Sequence, residues 1–224
     1  MKKSLIFLGI LIVLAGFFFL FETLNHQKAE EKKAEEKEVK KTMTLAPAEK
    51  RKKAALIIAF EGFKDEEYLK TKEKLEEAGI EVKTFSNLSG TAKGADGTEV
   101  EIALTLRDLN IDDYDAIVFI GGPGALENLD NDQSYQIAQE AVSKNKILAA
   151  ICISPVILAK SGVLNGKRAT VWSSILDKSP IVRLEENGAM YVNQPVVVDG
   201  NIITANGPQA ASQFGEAIAE KLSQ

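Results

Sequence analysis

A chain of 224 residues has room for one domain with an appendage, and its 26 % charged residues and moderate apolar content exclude a collagen, a coiled coil or a disulfide scaffold. The net charge of -5 is split unevenly, with net +5 over residues 1–53 and net -10 over residues 54–224, and an acidic body excludes a nucleic-acid groove because neutralising phosphates takes Lys and Arg. One cysteine and one histidine exclude an internal disulfide and a Cys/His zinc cluster, so no metal site is expected.

Met1-Lys2-Lys3 precedes an uncharged apolar run from Leu5 to Phe21. Its seventeen residues are at the short end of what spans a bilayer as a helix. No small-x-small cleavage pattern follows Phe17-Phe18-Phe19-Leu20-Phe21-Glu22. Residues 1–21 therefore predict an uncleaved, single-pass membrane anchor, with the domain on the extracytoplasmic side. Residues 22–53 are rich in Lys, Glu and Ala and predict a tether, either a solvated helix broken at Pro47 or a disordered charged spacer.

Residues 54–224 are expected to fold as one α/β domain. Ala54 to Phe60 is a continuous apolar run, typical of a strand covered on both faces. A helix is expected over about 66–78, closed by Gly79, then a strand over 80–85. Ala116 to Ile120 is a further buried strand that ends in Gly121-Gly122-Pro123-Gly124. A helix over about 133–144 leads to a strand over 147–151, with Cys152 directly after it. Val196 to Thr204 reads as a hairpin around Asp199-Gly200. An amphipathic helix over about 209–222 closes the chain. The alternation predicts a doubly wound, mostly parallel sheet in a flavodoxin-like three-layer sandwich, with the site at the carboxyl ends of the strands.

Three segments converge there: Glu61 to Glu67, Gly121 to Ala125, and Ala150 to Pro155. Cys152 sits where a strand turns into a helix, so orphan N–H groups would favour its thiolate. Pro155 suits the helix's first turn. The plain alternative is a buried, inert cysteine. The glycine-rich loop is either a tight turn or a source of N–H groups for an oxyanion. Pro123 breaks the spacing of a dinucleotide fingerprint. In Asp65-Glu66-Glu67, the acids are either helix N-terminal charges or include one carboxyl turned inward to donate to sulfur.

Together these segments resemble the ThiJ/PfpI family, the parkinsonism-protein family, within the class I glutamine amidotransferase-like superfamily. The matching pieces are Ile57 to Glu67, Asp113 to Gly124, Ala149 to Cys152 with Gly162 to Thr170, and Gly200 to Pro208. The resemblance implies that Cys152 is the elbow cysteine and Glu67 its carboxyl partner. It also implies that Gly122 and Ile153 are oxyanion donors, with Gly121, Ser154, Trp172 and Asn206 completing the oxyanion and binding positions. The departures are Ile153, where protease-like members carry His, and Trp172, where other members supply one. Ser154 stands at a usual glycine, and Asn206 stands where some relatives have Arg. His26, the single histidine, lies in the tether.

The resemblance implies glyoxalase- or deglycase-type chemistry on small reactive carbonyls, with no cofactor. A cysteine redox or stress-response module is the alternative. A peptidase or amidase is disfavoured by the missing histidine, and a degenerate binding domain stays open. The resemblance also implies a homo-oligomer.

Overall fold

The computed structural model describes residues 51–224 and, before them, Lys32 alone. The expected anchor and nearly all of the tether lie outside the described residues. Three segments form the middle of the sheet because they are apolar throughout: β1 (Lys53–Ile58), β7 (Ala116–Phe119) and β8 (Ile147–Ile151). From Ala54 to Ile58, every β1 residue is fully buried. A strand covered on both faces needs such a run.

Around them stand β2 (Glu61–Phe63), β3 (Glu81–Ser86), β4 (Gly90–Gly94), β5 (Glu99–Ile102), β6 (Leu104–Thr105), β9 (Arg168–Ala169), β10 (Met190–Tyr191), β11 (Val196–Asp199) and β12 (Ile202–Ala205). The main sheet has seven strands in the order β11-β12-β8-β7-β1-β3-β6. All its neighbours run parallel except β11 and β12, an antiparallel hairpin. Asp199 pairs with Ile202, so the two-residue turn is Gly200-Asn201, one residue beyond the expected Asp-Gly.

The α-helices are α1 (Asp65–Glu77), α2 (Ala125–Leu129), α3 (Asp132–Ser143), α4 (Pro155–Lys160), α5 (Ser179–Glu186) and α6 (Ala211–Leu222). Helices α1 and α6 pack on each other and on the sheet, whereas α3, α4 and α5 form a second group against β7 and β8. That is the doubly wound α/β sandwich expected from the alternation. The α1–α6 approach depends on Gly215: a Cβ there would lie 2.7 Å from the Cβ of Lys74.

Strand β1 begins one residue earlier than expected. Lys53, assigned to the tether, opens β1, and its N–H donates to Asp115 at 2.9 Å. The small sheet β2-β4-β5 was not expected, because its strands are short and rich in Gly, Lys and Glu.

The membrane placement requires correction. No helix among the described residues is long and apolar enough to cross a membrane. The longest, α1, has 13 residues, or about 20 Å at 1.5 Å per residue, against the ~30 Å of a hydrocarbon core. It also carries charges along its whole length. The run that suggested an anchor lies outside the described residues, and the anchored, extracytoplasmic localisation is not retained.

Candidate active site at the carboxyl ends of the strands

Four strand ends meet at one edge of the sheet. Backbone bonds lock them together: Lys64 N–H to Gly121 O at 2.9 Å, Gly124 N–H to Gly62 O at 3.0 Å, and Cys152 N–H to Ala205 O at 2.9 Å. Cys152 directly follows β8 and has φ +63°, a left-handed conformation that costs a non-glycine residue roughly 1–2 kcal/mol. The bond to Ala205 holds it from one side, and Trp172 N–H, donating to its carbonyl at 2.8 Å, holds it from the other. Cys152 thus occupies a sharp, backbone-held turn between β8 and the segment that leads into α4.

The three consecutive acids that open α1 have three different roles. Asp65 accepts from the N–H groups of Asp96 at 2.8 Å and Thr98 at 2.6 Å, pinning the β4–β5 hairpin to the helix. Glu66 forms a half-exposed ion pair with Lys70 at 2.6 Å. Glu67 is fully buried, and its Oε2 accepts from Gly121 N–H at 3.1 Å. Its second oxygen, Oε1, has no strictly formed hydrogen bond. The Cys152 thiol nevertheless lies near enough to act on the carboxyl's titration, as a loose polar contact.

Burial raises the Glu67 carboxyl from its ordinary 4.5 to about 7, against the opposing pull of Cys152, the Gly121 N–H and the Lys64 charge. The thiol behaves differently from the sequence expectation. Burial pushes it up, and the negative charge of Glu67 pushes it further, outweighing the backbone N–H groups of Gly122 and Ile153 that favour the thiolate. The N–H groups at the turn do favour the thiolate as expected, but they are the smaller influence. Around neutral pH the carboxyl, not the sulfur, is the group that exchanges a proton.

A cleft of about 340 Å³ opens onto this pair, lined by Lys64, Glu67, Gly122, Pro123, Leu126, Cys152, Ile153, Trp172 and Pro208. Among the expected residues, Cys152, Glu67, Gly122, Ile153 and Trp172 therefore converge. Gly121 contributes differently: its N–H is engaged by Glu67, and its bare Cα makes room for both side chains.

Ser154 does not line the cleft. It is fully buried, and its hydroxyl donates to Ile120 O at 2.9 Å. Its φ of -65° explains why a glycine is not needed there. Asn206 is likewise absent from the cleft wall. Its N–H donates to Pro195 O at 3.0 Å in continuing the β12 edge, and Pro208 takes the wall position instead. Lys64, Pro123, Leu126 and Pro208 were not anticipated as cleft residues, although each lies within or beside a segment singled out from the sequence. The Lys64 ammonium is paired with Asp96 at 2.5 Å.

Comparison with known proteins agrees with this geometry. The profile of the DJ-1/PfpI family matches residues 52–221. An uncharacterised protein of Methanocaldococcus jannaschii is 40 % identical over 167 residues, covering 74 % of this chain and 80 % of that protein. The protein of Pyrococcus furiosus named deglycase PfpI is 31 % identical over 153 residues, 68 % of this chain and 89 % of its own. Among solved structures, a ThiJ/PfpI domain protein from Brachyspira murdochii superposes with a TM-score of 0.72 at 30 % identity, covering 77 % of this chain and 98 % of that one. DJ-1beta of Drosophila melanogaster gives 0.69 at 31 %, with 77 % and 90 % covered. A family profile spanning nearly all of the described domain, relatives aligned over most of their own length and the same fold in solved structures lead to one conclusion: the chain belongs to the DJ-1/PfpI family.

Proposed function

We propose that the domain is a glyoxalase- or deglycase-type enzyme acting on small reactive carbonyls, with Cys152 as nucleophile and Glu67 as proton carrier. The observation that carries this reading is the buried Glu67 carboxyl, poised at about 7 beside a thiol that stays protonated at that pH. A general base works best with a pKa near the working pH. Glu67 takes the thiol proton as sulfur attacks the aldehyde carbon of an α-oxoaldehyde, so no preformed thiolate is required.

The new C–S bond turns the carbonyl oxygen into an oxyanion, for which the N–H groups of Gly122 and Ile153 are the available donors. Glu67 returns the proton to that oxygen, giving a hemithioacetal. The same carboxyl then moves the proton from C1 to C2 through an enediol, leaving a thioester of the 2-hydroxy acid. Water cleaves that thioester and regenerates the thiol. The net change is addition of one water to the α-oxoaldehyde, with no external oxidant. The names of the Pyrococcus relatives, all deglycases, support the same reaction class.

The redox-module reading has weaker support, because peroxide attacks thiolates and this thiol is pushed up. A peptidase reading has weaker support too, because the described residues include no histidine to pair with Cys152. The test is methylglyoxal consumption by the full chain and by Cys152→Ala. Turnover confined to the wild type is expected; turnover that persists in Cys152→Ala rules the reading out.

A further inference from the structure

The reactive groups occupy only one end of the cleft, and the rest of its wall narrows the substrate class. Beyond Cys152, Glu67 and the backbone N–H groups, the lining side chains are Pro123, Leu126, Ile153, Trp172, Pro208 and Lys64. Five of these six are apolar. The sixth carries its charge on an ammonium already paired with Asp96. Side-chain donors on the wall are therefore few, the Trp172 indole N–H and the Lys64 ammonium that already bonds Asp96, and burying a sugar hydroxyl, a phosphate or a carboxylate without a partner costs roughly 1–3 kcal/mol each. At about 340 Å³ the cleft is at the small end of pockets that hold small molecules.

Trp172 is the largest of these side chains, and its backbone is tied to the turn. Its N–H holds the Cys152 carbonyl at 2.8 Å, so the residue is tied to the nucleophile's own backbone. Two residues earlier, Thr170 N–H donates to the Thr204 hydroxyl at 2.9 Å, fixing the approach of the segment to β12. The indole borders the bare backbone of Gly207, where a Cβ would lie 3.5 Å from Cδ1. A half-buried aromatic side chain lining the same cleft as the nucleophile suits a flat or bulky apolar group on the carbonyl compound.

We infer that the site prefers α-oxoaldehydes bearing an aryl or branched alkyl group, and that Trp172 is the residue that sets this preference. The inference rests on the carbonyl reading above. Pocket burial of an aryl ring in place of a methyl group is worth about 30-fold or more in kcat/KM.

The experiment compares phenylglyoxal with methylglyoxal as substrates of the full chain, in wild type, Trp172→Phe and Trp172→Ala. A second readout does not depend on turnover: the rate at which 2-chloroacetophenone and chloroacetone alkylate Cys152, each normalised to glutathione. In that labelling the sulfur displaces chloride and the thiol proton leaves to solvent. Cys152 is the chain's single thiol, so labelling is unambiguous. The expected result is an aryl preference of about 30-fold in turnover, lowered about tenfold in Trp172→Ala and largely kept in Trp172→Phe. The labelling ratio should move in the same order. Equal handling of the two substrates, or a ratio indifferent to Trp172→Ala, overturns the inference while leaving the carbonyl chemistry standing. An aryl preference in labelling without turnover of either aldehyde keeps the apolar subsite and overturns the enzyme reading. Absence of both preference and turnover overturns both.

Discussion

Glu67 and Cys152 meet across Gly121, and the contact exists because residue 121 has no side chain. A Cβ there would lie 2.4 Å from the Cβ of Cys152 and 2.8 Å from Glu67 Oε2. Neither atom is the free end of a flexible chain, because the cysteine stem is held at both backbone ends and the carboxylate oxygen bonds the Gly121 N–H. Gly121→Ala should therefore lose about 2 kcal/mol of stability, the ordinary cost of overpacking a filled site. Turnover should fall by at least about tenfold as the pair is forced apart. Urea unfolding and a steady-state assay read the two effects. An alanine variant with unchanged stability and rate would show that Gly121 is not the spacer.

Burial of Glu67 also sets a pH dependence of stability. The folded carboxyl titrates at about 7 against an ordinary 4.5, so the native state holds a proton that the unfolded chain has released. The stabilisation is fully present below pH 4.5 and is lost as pH rises through 7. The loss amounts to about 3 kcal/mol. Gln at this position can still accept from Gly121 N–H but carries no charge. Glu67→Gln should match the wild type near pH 4.5 and exceed it by about 2–3 kcal/mol at pH 8. Urea unfolding of both proteins between pH 4.5 and 8 tests this, and parallel stability curves would contradict it.

Ser154 separates structure from chemistry at the elbow. Its hydroxyl is buried and donates to Ile120 O at 2.9 Å, tying the residue after the elbow to the end of β7. Ser154→Ala leaves that carbonyl short of one donor and should cost about 1 kcal/mol in stability. The turnover rate should change by less than about threefold, since the side chain is absent from the cleft wall. A large loss of rate with intact stability would return Ser154 to the binding site.

Much of this was legible in the residues themselves. The apolar runs Ala54–Phe60, Ala116–Ile120 and Ile147–Ile151 give the central strands within one or two residues, because only a strand covered on both faces needs such runs. Cys152 at the end of one run and the glycines at the end of another follow from the rule that parallel sheets react at their carboxyl ends. The sheet β2-β4-β5 was not legible. Its strands are short and polar, and what fixes them is Asp65, thirty-odd residues away in sequence, reaching the N–H groups of Asp96 and Thr98. The state of the thiol was not legible either. A helix N-terminus argues for a lowered value, but burial and the neighbouring carboxylate outweigh it, and both depend on packing between distant segments. Asn206 and Ser154 occupy expected positions in the chain, yet their side chains do not line the cleft, which spacing alone does not reveal.

The most direct test of the account is the pH dependence of kcat/KM for methylglyoxal in the full chain, measured with Glu67→Gln alongside. The account gives Glu67 the task of taking the thiol proton. The wild-type rate should thus rise with pH through an apparent pKa near 7, and Glu67→Gln should lose that limb together with about 100-fold or more of the rate. A wild-type profile flat between pH 6 and 8, or a glutamine variant that keeps both rate and limb, would contradict the claim that Glu67 and Cys152 work as one proton-sharing pair.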